Sequence, residues 1–534
     1  MKKKLAYISL SILPMFLFFL EVILKHARGE FYLFGNYDGP YGYLLGSLNI
    51  AQFLKPGYFQ HPGIVTQIIE AIIIKISYLL QGVESNIVLD TFNRPEFYFN
   101  RINVAFNLLS VITLFSFGKV AFEKTGNIFA ALFLQLTPFI SIVIVYELTH
   151  NASEATALVL ILIFLIISIC YLYENALTRN KNLLYILLFG FIGGLIIANV
   201  ISYLPLLIIP FLLIKKFRNK LLFIFISLIT FSYLFFSISP ASSQFWNFVI
   251  LNIIHSGKYG AGSANFVDLN RIKPTIDLIY NQYFFFGIIY LAITFTLLLQ
   301  FIPKFKIIVR SNKYHLLLIG IFIIMSSYIL LVIKQIEGYY LFPGLLFSVT
   351  GLFIVNSIIS DLFPKAFKVN KYLYLYIIFI IFTIPQIKSY KNYVSFFTAR
   401  KIESYKMINY MKENYPNSII ISSDWTSGLP TAFYNGLNYT GAETSRYDSL
   451  IYQKYPNYIY FPRWRKDFAY LWNDYELKNR LNKADSVIFH SYNDDNFNDF
   501  FKKIVEYTNK QKSTFSEVYA NKNGEKLYLV RLKE

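Results

Sequence analysis

Stretches such as ATALVLILIFLIISICYL, residues 155–172, recur along this chain, and they restrict its fold more than any motif does. An α-helix needs about 20 apolar residues to cross the hydrocarbon core of a bilayer. A water-soluble chain would have to bury many such runs at once, and no single core does that. The runs cover 5–24, 102–120, 128–145, 155–172, 183–200, 201–214, 221–238, 283–302, 316–333, 340–358 and 372–387, about eleven spans. Composition agrees, since 55% of the 534 residues are hydrophobic and only 15% are charged. Such a chain is an all-α polytopic membrane protein. Its first run follows Lys2, Lys3 and Lys4 and shows no small-residue cleavage site before Glu30, so it reads as a retained anchor rather than a signal peptide.

The formal net charge of +19 would suggest nucleic acid if the charges were clustered on one soluble face. They fall instead in short loops between apolar runs, which is the pattern left by the resistance of basic loops to translocation. With the N-terminus in the cytoplasm, Lys119 and Lys124, Arg179 and Lys181, Lys215 to Lys220, Lys304 to Lys313, and Lys365 to Lys371 all lie inside. No nucleic-acid partner is expected. Residues 63–82, GIVTQIIEAIIIKISYLLQG, are long enough to cross but carry Gln67, Glu70 and Lys75. A crossing there would move every later basic loop outside, so charge parity predicts an amphipathic or re-entrant helix at the outer interface. The single cysteine, Cys170, excludes an intrachain disulfide and a cysteine metal cluster.

Residues 389–534 differ from the rest. SIIIS at 418–422 and SVIFH at 486–490 read as strands, 402–413 and 497–508 as helices, and VYANKNGEKLYLVRL as a hairpin turning at Asn523 and Gly524. They predict a small α/β domain outside the membrane, following a transmembrane catalytic domain over 1–388 whose first outer loop, 25–100, carries interfacial helices.

Five short stretches place polar chemistry beside the spans. NYDGPYGYLL contains Asp38, GYFQHPG contains His61, FNRINVAFNLL opens a span with Arg101, NASEATALVL opens another with Glu154, and EGYYLFPG, 337–344, follows Lys334 at a late turn. Their order and spacing resemble the GT-C superfamily of polyprenyl-phosphate-sugar glycosyltransferases, in the bacterial branch related to protein O-mannosyltransferases and the lipid A aminoarabinose transferase. Members carry an acid soon after the first helix, a GYF-D-HPP-like turn, an arginine starting the second span and an (H/R)YLLP turn opening a late span. Here Gln60 stands in place of the acid in the second motif and Gly63 in place of its second proline. The likeness is strongest in the first third and covers most of the membrane part.

The resemblance implies transfer of a sugar, with inversion, from a polyprenyl-phosphate carrier to an envelope acceptor at the outer face of a bacterial inner membrane. Asp38 is the implied catalytic base, with His61, Arg101, Glu154, Lys334, Glu337 and Tyr339 as substrate-binding candidates. The chemistry fits these types. A carboxylate in a low-dielectric chamber has its pKa raised toward accepting the acceptor's hydroxyl proton. The departing phosphate needs cations and donors rather than an acid. Each residue also has a plain structural role open to it: Asp38 and His61 as turn residues, Glu154 as a helix cap, Lys334 as a chain snorkelling to the interface. No cofactor is expected, and no metal site; the alternative, a divalent ion as in some GT-C enzymes, finds no close ligand spacing beyond HNASE at 150–154. Other readings of the chain are a lipid-linked glycan flippase, which needs no base, and an oligosaccharide ligase, whose large loop lies late. No P-loop, dinucleotide fingerprint or nucleophile elbow occurs.

Overall fold

The computed structural model describes residues 2–533 except 37–38, 58–62, 175–177, 239–241, 258–259, 261, 266, 336, 365–371, 464, 470–473 and 495. Among the described residues, ten helices are long and apolar enough to cross a membrane: Lys3–Arg28, Ile64–Gln81, Pro95–Thr125, Ser153–Leu172, Arg179–Asn199, Phe217–Phe236, Phe284–Phe301, His315–Gln335, Gly338–Leu362 and Leu373–Asn414. The chain is a multi-pass membrane protein.

Two expected spans take another form, for local reasons. Residues 128–145 divide into Ile128–Leu134, a 3-10 turn Thr137–Phe139 and Ile142–Leu148. Pro138 supplies no backbone donor, and the Ser141 side chain accepts from the Val143 N–H, starting a new helix instead of continuing the old one. Residues 201–214 form a 3-10 segment, Ile201–Leu207, and a single short helix, Ile208–Leu213, with Pro205 and Pro210 inside them. Residues 64–81, expected as an interfacial helix from charge parity, form one continuous helix whose length and composition also meet those of a span.

By contacts the chain divides into two compact units, one of residues 1–22, 59–66 and 103–391, the other of 23–58, 67–102 and 392–534. In the first unit Gly338–Leu362 is the most enclosed span, with 89% of its apolar stretch buried, against 22% for Phe217–Phe236. Arg179–Asn199 and Phe217–Ile238 meet through glycines. A Cβ on Gly190 would stand 2.7 Å from Ile226, and one on Gly194 2.5 Å from Thr230 and 2.7 Å from the Ser227 carbonyl oxygen. Small residues four apart let two backbones approach, which is how helices associate where no hydrophobic effect drives them.

In the second unit residues 23–58 and 67–102 share contacts with the C-terminal region. Its sheet contains β1 (Ile419–Ser422), β2 (Tyr458–Tyr460), β3 (Ser486–Tyr492), β4 (Thr514–Ala520) and β5 (Glu525–Arg531), in the order β2-β1-β3-β5-β4. The three strands β2, β1 and β3 are parallel, while β5 runs antiparallel to β3 and to β4. The expected hairpin is the β4–β5 pair, closed at Gly524 with φ +87°. Strand alternation sends Ile421, Ile459, Val487, Phe489 and Val530 to one core with Phe500 and Ile504, and Ile420, Ile488 and Leu527 to another with Met407 and Met411. Helix Pro40–Ala51 lies against Leu429–Thr440, where Tyr41 meets Phe433 edge-on at 5.1 Å.

Candidate functional site

Asp38 and His61 lie outside the described residues. The Asn36 amide donates to the carbonyls of Arg28 at 3.0 Å and Glu30 at 2.9 Å. Its oxygen accepts from Arg28 Nε at 3.1 Å and from the Arg400 guanidinium. Both arginines are buried, and both lie over the Phe397 ring, at 5.6 and 4.5 Å. A buried guanidinium is weakly hydrated and stacks well on an aromatic face, so this pair concentrates positive charge two residues before Asp38 in the chain.

Acidic groups flank the same segment. Glu96 accepts the Phe31 N–H at 2.8 Å and the Tyr41 hydroxyl at 3.4 Å, and Glu30 accepts the Tyr405 hydroxyl. Lys25 donates to the Gly29 carbonyl at 2.5 Å with its ammonium 4.1 Å from the Phe31 ring centre. Burial, reinforced by Glu30 and Glu96, pushes the Tyr32 hydroxyl up to about 12, so it stays a neutral donor.

The segment also reaches the sheet. The connection from β1 to β2 leaves on one side of β1 and β3 lies on the other, which makes the carboxyl ends of β1 and β3 a topological switch point, the usual ligand crevice of an open α/β sheet. Here chain residues fill it. The Phe34 N–H donates to Ser427 Oγ at 3.1 Å, Gly428 donates to the Tyr32 carbonyl at 2.9 Å, and Phe34 meets Tyr492 at 4.9 Å. Beneath them the buried Glu525 carboxylate accepts from Ser427 N–H, Ser427 Oγ and His490 Nε2.

Toward the second motif, Asn49 donates to the Lys55 and Glu443 carbonyls at 2.9 and 3.0 Å and accepts from the Tyr447 hydroxyl at 2.6 Å. Gly57, the first residue of GYFQHPG, comes so near Thr440 that a Cβ would stand 1.8 Å from its carbonyl oxygen. Only glycine fits there.

Arg101 is exposed, donates to Gln81 Oε1 at 2.7 Å and lies 5.2 Å over Phe97. Nearby, burial alone would raise the Asp90 carboxyl, but hydrogen bonds from Arg94, Tyr98 and the Val83 and Glu84 amides outweigh it and hold it below its usual value.

In the membrane unit, Glu154 occupies the first turn of Ser153–Leu172 and accepts from Ser153 Oγ at 3.2 Å. Its helix start is held by a buried polar knot. Asn199 donates to the Ser153 carbonyl at 2.9 Å and accepts from Thr66 Oγ1 at 2.8 Å, and Thr66 reaches Thr156 at 2.8 Å. Just before it, His150 Nδ1 is 3.6 Å from a Glu147 carboxylate oxygen. Lys334, Glu337 and Tyr339 share one turn between His315–Gln335 and Gly338–Leu362. Lys334 is buried, with its ammonium donating to the Ile253 carbonyl at 2.6 Å; Tyr339 lies 4.3 Å from the Tyr340 ring. Among the described residues no three His, Cys, Asp or Glu side chains gather as metal ligands would.

Sequence reasoning passed over Arg28, Glu30, Asn36, Glu96 and Arg400. Four of them stand within residues 25–100, and their signal was charge beside turn residues; Arg400 lies 364 residues from Asn36 and leaves no local trace.

No family model and no curated protein matches the chain. Among solved structures it resembles the crystal structure of ArnT from Cupriavidus metallidurans bound to undecaprenyl phosphate, with a TM-score of 0.53 and 9% identity over 99% of this chain and 98% of that one. The apo form of ArnT from the same organism aligns with a TM-score of 0.46 and 11% identity over 95% and 96%. At such identity the likeness speaks for the fold alone: this chain has an ArnT-like polytopic helical fold with a small C-terminal α/β region, the architecture expected from its sequence.

Proposed function

We propose that this protein is a glycosyltransferase that takes a sugar from a polyprenyl-phosphate carrier and passes it to an envelope acceptor, whether lipid, glycan or protein. One observation carries the reading: the chain follows, over almost the full length of both molecules, an ArnT that holds undecaprenyl phosphate in its crystal structure. The membrane is taken to be a bacterial inner membrane, with the N-terminus cytoplasmic and the C-terminal region outside, as the distribution of basic loops favours.

In the proposed reaction the acceptor's hydroxyl oxygen forms a bond to the anomeric carbon while the bond from that carbon to the phosphate oxygen breaks, inverting the centre. The hydroxyl proton passes to the Asp38 carboxylate, and the electron pair leaves with the polyprenyl phosphate. Asp38 follows by two residues in the chain Asn36, whose side-chain oxygen accepts from the buried Arg28 and Arg400. His61, Arg101, Glu154 and the turn bearing Lys334, Glu337 and Tyr339 are assigned to binding the donor and acceptor.

The test is Asp38→Asn, which keeps the side chain's size and removes the base. Mass spectrometry of lipid extracts and released envelope glycans from cells with either form is the readout. The variant, present at normal level in the membrane, is expected to accumulate a sugar-phosphate polyprenol and to lose one glycan residue. Unchanged lipids and glycans would overturn the assignment of Asp38.

A further inference from the structure

A polar cavity lies within the first unit, lined by residues outside the motifs above. It is a recess of about 620 Å³, in the range of small-ligand sites, and its lining includes Tyr173, Asn312, Lys313, Tyr314, Asp361 and Tyr372. These residues stand at span ends: Tyr173 follows Ser153–Leu172, Asn312 to Tyr314 precede His315–Gln335, Asp361 is in the last turn of Gly338–Leu362, and Tyr372 precedes Leu373–Asn414. Tyrosines at the ends of spans sit at headgroup level in a bilayer.

The lining carries two opposite charges, Lys313 and Asp361. Lys313 is exposed, its ammonium 3.4 Å from the centre of the Tyr173 ring and 5.1 Å from that of Tyr314, and the hydroxyls of these two tyrosines hydrogen-bond each other. Asp361 is exposed as well, with one oxygen accepting from the Asn312 amide at 2.9 Å; Asn312 in turn accepts the Tyr314 N–H at 2.9 Å. A cation braced on aromatic faces and a carboxylate clipped at one oxygen, lining one polar recess, match a ligand that carries both a phosphate and an ammonium group.

We propose that this recess binds a phosphoethanolamine group, with its phosphate on Lys313 and its ammonium at Asp361, as presented by a zwitterionic membrane lipid or by the free glycerophospho compound. The inference is independent of the glycosyltransferase reading.

The experiment uses the full chain, purified in detergent and titrated with phosphatidylethanolamine, phosphatidylcholine or phosphatidylglycerol, with bound lipid counted by native mass spectrometry. Phosphatidylethanolamine is expected to be retained over the other two. Lys313→Ala and Asp361→Asn are each expected to lower its retention roughly tenfold, the loss of one charge-assisted hydrogen bond. Lys313→Arg and Asp361→Glu, which keep the charges, are expected to restore it and to separate binding from folding. Competition by glycerophosphoethanolamine would identify the free compound as a sufficient ligand; retention without competition would assign the site to the lipid. Equal retention of phosphatidylcholine, a preference for phosphatidylglycerol that ignores Asp361, or retention unchanged in both charge-removing variants would overturn the proposal.

Discussion

Glu525 is fully buried and accepts the Ser427 N–H at 2.5 Å, Ser427 Oγ at 3.0 Å, His490 Nε2 at 3.0 Å and the Asn521 amide at 2.9 Å. Glu525→Ala strands these donors away from water and is expected to cost about 3–5 kcal/mol, read as a lowered melting temperature of the purified chain; Glu525→Gln, which keeps one acceptor oxygen, is expected to cost less. A second residue makes stability depend on pH. Burial raises the Asp448 carboxyl from 3.8 to about 6. The folded chain therefore binds this proton more tightly than the unfolded one, so the contribution is full below the unfolded value and is lost as pH rises through about 6. Melting temperatures at pH 5 and pH 7.5 are expected to differ less in Asp448→Asn than in the unaltered chain. Singly, residues were partly legible. Asp38 and His61 were picked out by turn chemistry beside a span and lie outside the described residues; Gly57, in the same kind of stretch, owes its place to a carbonyl oxygen 383 positions later at Thr440. Arg400, in the middle of a long helix, carries no signal in its own neighbours.

Helices and strands follow from patterns of consecutive residues, and most were visible in that way. The spans are additive sums of side-chain hydropathy, and the β4–β5 hairpin follows from alternation around a glycine-bearing turn. Where reading failed, backbone hydrogen bonding had overridden hydropathy. Pro138 and Ser141 leave 128–145 as apolar as before but interrupt its helix, and β2 is too short, at three residues, to show a period. The helix expected over 64–81 forms as one continuous element. The glycines of Arg179–Asn199 give a test at this scale. Gly194→Ala sets a methyl against the Ser227 carbonyl and Thr230, and overpacking of that kind costs about 1–3 kcal/mol. Gly194→Leu is expected to abolish the monodisperse peak in size-exclusion chromatography, while Gly126→Ala, where a Cβ meets nothing within 4 Å, serves as the comparison with only backbone strain.

At the scale of the molecule, residues 23–58 and 67–102 share a compact unit with 392–534. Residues 23–58 thus depend on the C-terminal region for their partners: helix Pro40–Ala51 on Leu429–Thr440, Phe34 on Ser427, and Asn49 on Tyr447. A chain ended after Asn414 is expected to become sensitive to added protease within 23–102 under conditions where the full chain resists, with the cut sites mapped by mass spectrometry. Resistance equal to that of the full chain would show that the segment holds its shape unaided. Membrane residence, the succession of spans and an α/β tail were all readable in one dimension, because hydropathy and strand period are properties of neighbouring residues. The closing of Arg28 and Arg400 on Asn36, the contacts of Tyr32 and Phe34 at the sheet's switch point, and the recess lined by Lys313 and Asp361 join positions far apart in the chain. Such pairings arise only when burial brings distant segments together, and no run of adjacent side chains records them.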